Sequence, residues 1–173
     1  MLALAMIVAF IAWFAVEVKP SPLNGSTSNL GTANAVGPEL LTEDGLKAAV
    51  AGVGHPVYWI GGRPGVSYEL TVSKSGTAVI RYLPGGVAAG ASGAYRTVAS
   101  YVVPNAFAVM SGVQGQGIAT LKTPNNGIAE YKNGDTTDLH LAYFGVDVQI
   151  ELYDPVQNEA VSLVKGGAVV PVA

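Results

Sequence analysis

The run MLALAMIVAFIAWFAV, Met1 to Val16, is unbroken apolar sequence. As a helix rising 1.5 Å per residue it would be about 24 Å long, against roughly 30 Å of bilayer hydrocarbon. Trp13 and Phe14, then Glu17 and Lys19, have the order expected where a span leaves the membrane, with amphipathic rings at the interface and charged tips reaching water. A cleaved signal peptide would carry a basic flank before the run and a small-x-small site after it, and neither is present. The missing flank also suggests a native start upstream of Met1. Residues 1–19 are therefore expected to be a transmembrane anchor helix, single-pass, with membrane lipid as the partner of residues 1–16.

The stretch 20–39 begins PSPLNGSTSNLGTANAVGP, without a charge and rich in Ser, Thr, Asn, Gly and Pro. Such a segment offers no core face and reads as a flexible linker. It includes the glycosylation-like triplet Asn24-Gly25-Ser26, a pattern too short to carry weight. Residues 40–173 are then one domain of ordinary size. An anchor followed by a spacer is the usual layout of exported proteins, so this domain is expected on the extracytoplasmic side of the cell membrane. Lys19, the one nearby cation, would by itself favour the opposite orientation.

Half of the chain is hydrophobic and 12 % is charged, with a net charge of −3. That composition excludes a disordered chain and gives none of the basic footprint that nucleic acid requires. There is no cysteine, hence no disulfide framework, thiolate nucleophile or thiolate metal site.

The domain reads as α+β. Thr42 is placed to cap a short helix, with Leu41 and Leu46 as a hydrophobic staple and Gly52 and Gly54 as the stop. Val57 to Ile60 reads as a buried strand start. Val66, Tyr68, Leu70 and Val72 alternate with Ser67, Glu69 and Thr71, the period of a strand with one buried face, and Thr77 to Leu83 returns after the SKSG turn as a hairpin. Residues 84–94, PGGVAAGASGA, form a surface loop. Strands follow over Tyr95–Val103, Ile118–Thr123, Ile128–Tyr131, Asp138–Phe144 and Val146–Leu152, with a brief helix from Pro104-Asn105 to Ser111. Asp154-Pro155-Val156-Gln157 has capping-box spacing and predicts a helix in which Val156, Ala160, Leu163 and Val164 share the buried face. Residues 168–172 suit an edge strand, which Pro171 tolerates. The expected fold is an antiparallel sheet of hairpins with two or three short helices covering one face, preceded by the transmembrane helix.

The only histidines stand in related strings, His55-Pro-Val-Tyr-Trp and His140-Leu-Ala-Tyr-Phe, each followed by a glycine and an alternating strand. A duplicated hairpin would pair His55 with His140 and Tyr58 with Tyr143; unequal loops and only two copies argue against a repeat array. Neither histidine has a metal-ligand spacing around it. Ser92 in AGASGAY is one residue short of a nucleophile elbow. Residues 133–138, NGDTTD, lack the distal glutamate of a calcium loop. Glu69 and Glu151 read as charges on solvated sheet faces. No catalytic, cofactor or metal residue is assigned. The eight tyrosines suit positions with one wet end. The candidate interaction residues are Tyr58, Trp59 and Arg63 around the GGRPG turn, where aromatics and a guanidinium would project from a glycine-supported loop.

The strings HPVYWIGGRPGVSYEL, AVIRYLPGG, YVVPNAFAVM, DLHLAYFGVDVQIELYDP and LVKGGAVVPV resemble a group of uncharacterised membrane-anchored exported proteins of actinobacteria. The resemblance covers most of residues 40–173 and implies the localisation and a single domain, with no activity or site attached. The expected function is a non-catalytic, membrane-tethered interaction domain, an accessory or assembly subunit with a protein partner or a second copy of itself. A pilin-like filament subunit is the structural alternative, though Ala5 stands where type IV pilins usually carry glutamate. A hydrolase acting on envelope material is the enzymatic one, and it would need a pocket bringing a histidine to a carboxylate and a serine.

Overall fold

The computed structural model describes residues 36–113, 115 and 117–173. The expected anchor helix, and all but the end of the expected linker, lie outside the described residues. Among these residues no helix is long and apolar enough to cross a membrane.

The described residues form ten strands and three helices in chain order: β1 (Val36–Leu41), α1 (Glu43–Val50), β2 (Tyr58–Trp59), β3 (Val66–Val72), β4 (Ala78–Pro84), β5 (Thr97–Val102), α2 (Ala106–Ser111), β6 (Ile118–Thr123), β7 (Gly127–Lys132), β8 (Asp138–Tyr143), β9 (Val148–Tyr153), α3 (Glu159–Lys165) and β10 (Val170–Pro171). Eight strands form one antiparallel sheet in the order β1-β3-β4-β5-β9-β8-β7-β6, and β2 pairs with β10 in a second, two-stranded sheet. Two meanders, β3-β4-β5 and β6-β7-β8-β9, thus meet at the central β5–β9 pair. The sheet begins at Val36, inside the stretch read as linker. Pairing of β1 with β3 draws Val36 to Glu39 into the fold, and a register shift together with Pro38 marks β1 as an edge strand.

The hairpin β3–β4 keeps the register that its alternation dictates, with Tyr68 opposite Tyr82 and Leu70 opposite Ile80. On that face Leu70, Ile80, Val98, Leu139, Leu141, Ile150 and Leu152 are fully enclosed. Leu46 and Val50 of α1, Ala160 and Val164 of α3, and the β2–β10 ribbon close over them. Each enclosed Leu or Ile side chain contributes about 1.5–3 kcal/mol. The Thr42 hydroxyl accepts from the Gly45 amide at 3.2 Å, which fixes the start of α1 as expected.

Tyrosine hydroxyls tie the segment 57–63 and the C-terminal strand to this core. The Tyr82 hydroxyl accepts from Ile60 N at 2.8 Å, that of Tyr68 accepts from Arg63 N at 2.7 Å, and that of Tyr143 donates to the Val169 carbonyl at 2.8 Å. These polar ends face backbone inside the fold. Burial pushes the Tyr82 and Tyr143 phenols up, Tyr143 to about 12.

Two elements depart from the expected pattern. The helix expected from Asp154 starts at Glu159, because the Asp154 carboxylate is already engaged: it pairs with Arg96 and accepts from Val156 N at 2.9 Å. The segment 154–158 is consequently a turn, and Val156 is exposed. In addition, the helices do not share one face. Ala106 and Met110 of α2 pack on Ala142, with Phe107 and Ile128 beside them. Ala142 and Leu141 are consecutive residues of β8 and point to opposite faces, so α2 covers the face away from α1 and α3.

Gly127, at the start of β7 after the left-handed Asn125 and Asn126, admits no side chain. A Cβ there would fall on Thr123 Oγ1 and within 2.7 Å of the Tyr143 ring. Gly127→Ala is expected to destabilise the domain by about 1–3 kcal/mol, as over-packing does, read as a lower urea midpoint with an unchanged slope.

Candidate functional site

Tyr58 and Trp59 are not surface residues. Both are enclosed, the Tyr58 ring stacked on Tyr143 at 5.5 Å and Trp59 edge-on to Tyr68 at 5.9 Å. Arg63 alone of the three is exposed. Two apolar rings beside a glycine turn can complete a core as well as project from a loop, and here β2 is held by β10 on one side and by the Ser100 hydroxyl, which accepts from Tyr58 N at 2.9 Å.

The two histidine strings meet through Tyr58 and Tyr143 without forming equivalent hairpins. β8 pairs with β9, whereas β2 pairs with β10 and not with β3. His55 precedes β2, and its Nε2 lies 2.7 Å from the Gly76 carbonyl in the β3–β4 turn. His140 stands inside β8.

The second face of the sheet, expected to be solvated, carries the chemistry of the domain. At its β3–β4 end Glu69, 3 % exposed, takes Arg81 at 2.6 Å and the Gly90 amide, while Arg81 donates onward to the Ala91 carbonyl at 2.7 Å and lies over the Tyr95 ring. This clamp pins the Gly/Ala-rich loop 85–94 against the sheet. Ser92 lies on the exposed part of that loop.

Across the middle of the same face runs a ladder of titratable groups. Glu130 of β7 is opposite His140 of β8, and His140 is opposite Glu151 of β9. Tyr101 of β5 donates to Glu151 Oε2 at 2.6 Å, and Gln149 Nε2 lies 3.2 Å from His140 Nδ1. Asp138 begins β8 two residues before His140. Burial sets the protonation of the row. It raises Glu130 to about 7 and, with the nearby charges of Glu151 and Asp135, raises Asp138 to about 7. It lowers His140 to about 4, and it raises Glu151 against the opposing effect of the Tyr101 hydrogen bond. At neutral pH the imidazole is neutral and the Glu130 and Asp138 carboxyls hold part of their protons.

Between this row and α2 lies a pocket of about 40 Å³. Val109, Met110, Val113 and Ile118 form its apolar wall, and Glu130, Lys132, His140 and Gln149 its polar side, with Tyr131 beside them. Glu130 is 4 % exposed, and its Oε1 has no hydrogen-bond partner. A larger open groove runs along Phe107, Lys122, Ile128 and Phe144, with Phe144 held edge-on by Phe107 at 5.6 Å.

No family model, curated protein or solved structure matches this chain. The site is accordingly read from its geometry. Among the described residues no three His, Cys, Asp or Glu side chains are grouped to hold a metal ion. Sequence patterns single out none of Glu130, Tyr101 and Gln149, and strand alternation puts Glu69 and Glu151 in solvent. A signal does exist in the off-phase positions: Leu83, Ala99 and Ala142, all on the second face, are as enclosed as the core, and small or apolar residues there mark a covered surface.

Proposed function

We propose that the protein is a non-catalytic, membrane-tethered interaction domain on the extracytoplasmic side, serving as an accessory or assembly subunit of a cell-envelope complex. The observation that carries this reading is the order of the chain: an unbroken apolar run over residues 1–16, an uncharged polar stretch, and then a self-contained antiparallel domain. A polar linker of about twenty residues, as expected for residues 20–39, spans on average about 25 Å when it behaves as a coil. At that distance the tether raises the local concentration of the domain beside any membrane partner. The polar groups of the domain support the same reading, since the Glu69–Arg81 and Arg96–Asp154 pairs hold loops and turns in place. Phe144, 74 % exposed and braced by Phe107, holds a large apolar side chain out in solvent.

Crosslinking in native membranes followed by detergent extraction should recover the chain with a stoichiometric protein partner or as a defined homo-oligomer. A monodisperse monomer under the same conditions would count against the proposal.

A further inference from the structure

We infer that the pocket between α2 and the strands β7, β8 and β9 is a binding site for a primary alkylammonium group, with the Glu130 carboxylate as its acceptor. Two independent observations meet there. One is Glu130, a side chain lining the pocket whose enclosed Oε1 has no donor among the described residues. A buried carboxyl oxygen lacking a donor is costly, and native folds supply one from protein, water or ligand. The other is the composition of the remaining wall, where Val109, Met110, Val113 and Ile118 offer apolar surface beside Tyr131 and Lys132. Water would satisfy the oxygen but gains nothing from that wall. An ammonium carried on methylenes uses both.

The size of the pocket limits what enters. At about 10–15 Å³ for each water-sized group, 40 Å³ admits a head of a few heavy atoms. The ammonium and its first one or two carbons fit, and the rest of a longer chain would lie outside along Val109.

The surrounding charges favour a cation. Around Glu130 the sheet presents His140 and Asp138 on β8, Glu151 on β9, Lys122 on β6 and Lys132 on β7 itself; α2 carries no charged residue. His140 is neutral at physiological pH because of its burial, and Lys132, which lines the pocket but is exposed to solvent, is not ion-paired with Glu130 among the described residues. Proton and ammonium compete for the same carboxylate, so the site fills as Glu130 ionises. Burial places that ionisation at about 7.

The same head group could arrive as a small diffusible amine or as a lysine side chain of a neighbouring protein. The experiment uses the full-length protein in detergent micelles with methyl-labelled Met, Ile and Val. It is titrated with ethylammonium chloride, with ethanol as the neutral match and sodium chloride as the salt control. The Met110 and Ile118 methyl signals are expected to shift saturably with ethylammonium alone, with a dissociation constant on the order of millimolar for so small a ligand. Lowering the pH from 8 to 6 should weaken binding about tenfold, as one proton competes with one ligand. Glu130→Gln should abolish binding. The pH series on the unaltered protein gives the same test if that variant misfolds. Blocked lysine, N-acetyl-lysine methylamide, separates the sources: equal shifts point to a protein lysine, and shifts with ethylammonium only point to a diffusible amine. Shifts shared with ethanol, independence of pH, or no saturable shift would overturn the inference.

Discussion

Arg81→Leu is expected to destabilise the domain by about 3–5 kcal/mol, the usual cost of removing one partner from a buried pair. Glu69 is 3 % exposed, and Arg81 is its charge partner at 2.6 Å. With the guanidinium gone, the carboxylate keeps only the Gly90 amide and remains shut under the loop. Arg81 also donates to the Ala91 carbonyl, so the loop 85–94 loses its second tie to the sheet. The change should appear as a lower urea midpoint and as faster hydrogen exchange at Gly90. Pairing it with Glu69→Leu should recover much of the loss, because two apolar residues leave no buried charge uncompensated. If the single variant unfolds at the same urea concentration as the parent protein, the clamp contributes nothing and the second face is not closed as described.

The second large effect is on the pH dependence of stability. Glu130 and Asp138 titrate near 7 in the folded domain and near 4 in an unfolded chain. Between those limits the folded state holds protons that the unfolded chain has released. Their contribution is therefore fully present below about pH 4 and lost as pH rises through 7. His140 works in the opposite sense. Its value of about 4 in the fold, against about 6.5 unfolded, gives a contribution present above pH 6.5 and lost as pH falls through 4. Two carboxyls outweigh one imidazole where the windows overlap, so the contribution of the row should be largest near pH 4 and decline as pH rises. It should fall by a few kcal/mol toward pH 8, since each tenfold difference in proton affinity between the folded and unfolded chain is worth about 1.4 kcal/mol. Thermal melts from pH 4 to 9 measure this, and Glu130→Gln should flatten the alkaline limb. A maximum at pH 8, or an alkaline limb unchanged by the substitution, would show that the row is hydrated.

Why these groups escape a reading of the sequence is physical. The alternation of Val66, Tyr68, Leu70 and Val72 states which face of β3 is buried, and the same holds for Val148, Ile150 and Leu152 of β9; both strands lie where their pattern puts them. The pattern does not state that the other face is open. α2 spans only Ala106–Ser111, too short for its apolar side to announce a partner, yet it roofs the row that holds Glu130 and His140. Glu69 likewise looks solvent-facing until Arg81, opposite it in register, and the loop beyond are folded over it.

Local rules mislead in a different way at two other places. Asp154-Pro155 carries good helix-start chemistry, but the aspartate's strongest partner is Arg96, distant in sequence and supplied by tertiary structure. Tyr58 and Trp59 have the composition of an exposed hot spot, and the two-residue ribbon with β10 turns them inward. Arg63, on the glycine-supported turn, remains at the surface, as its place in the sequence implies.

Whether residues 1–19 hold the domain at the outer face of a membrane can be decided by fractionating cells that express the full chain. The protein should stay in the membrane pellet after an alkaline carbonate wash. Protease added outside intact cells should degrade the domain, and deleting residues 1–19 should move it to the soluble fraction. Full-length protein released by carbonate, or a domain protected until the cells are broken, would refute the tethered placement.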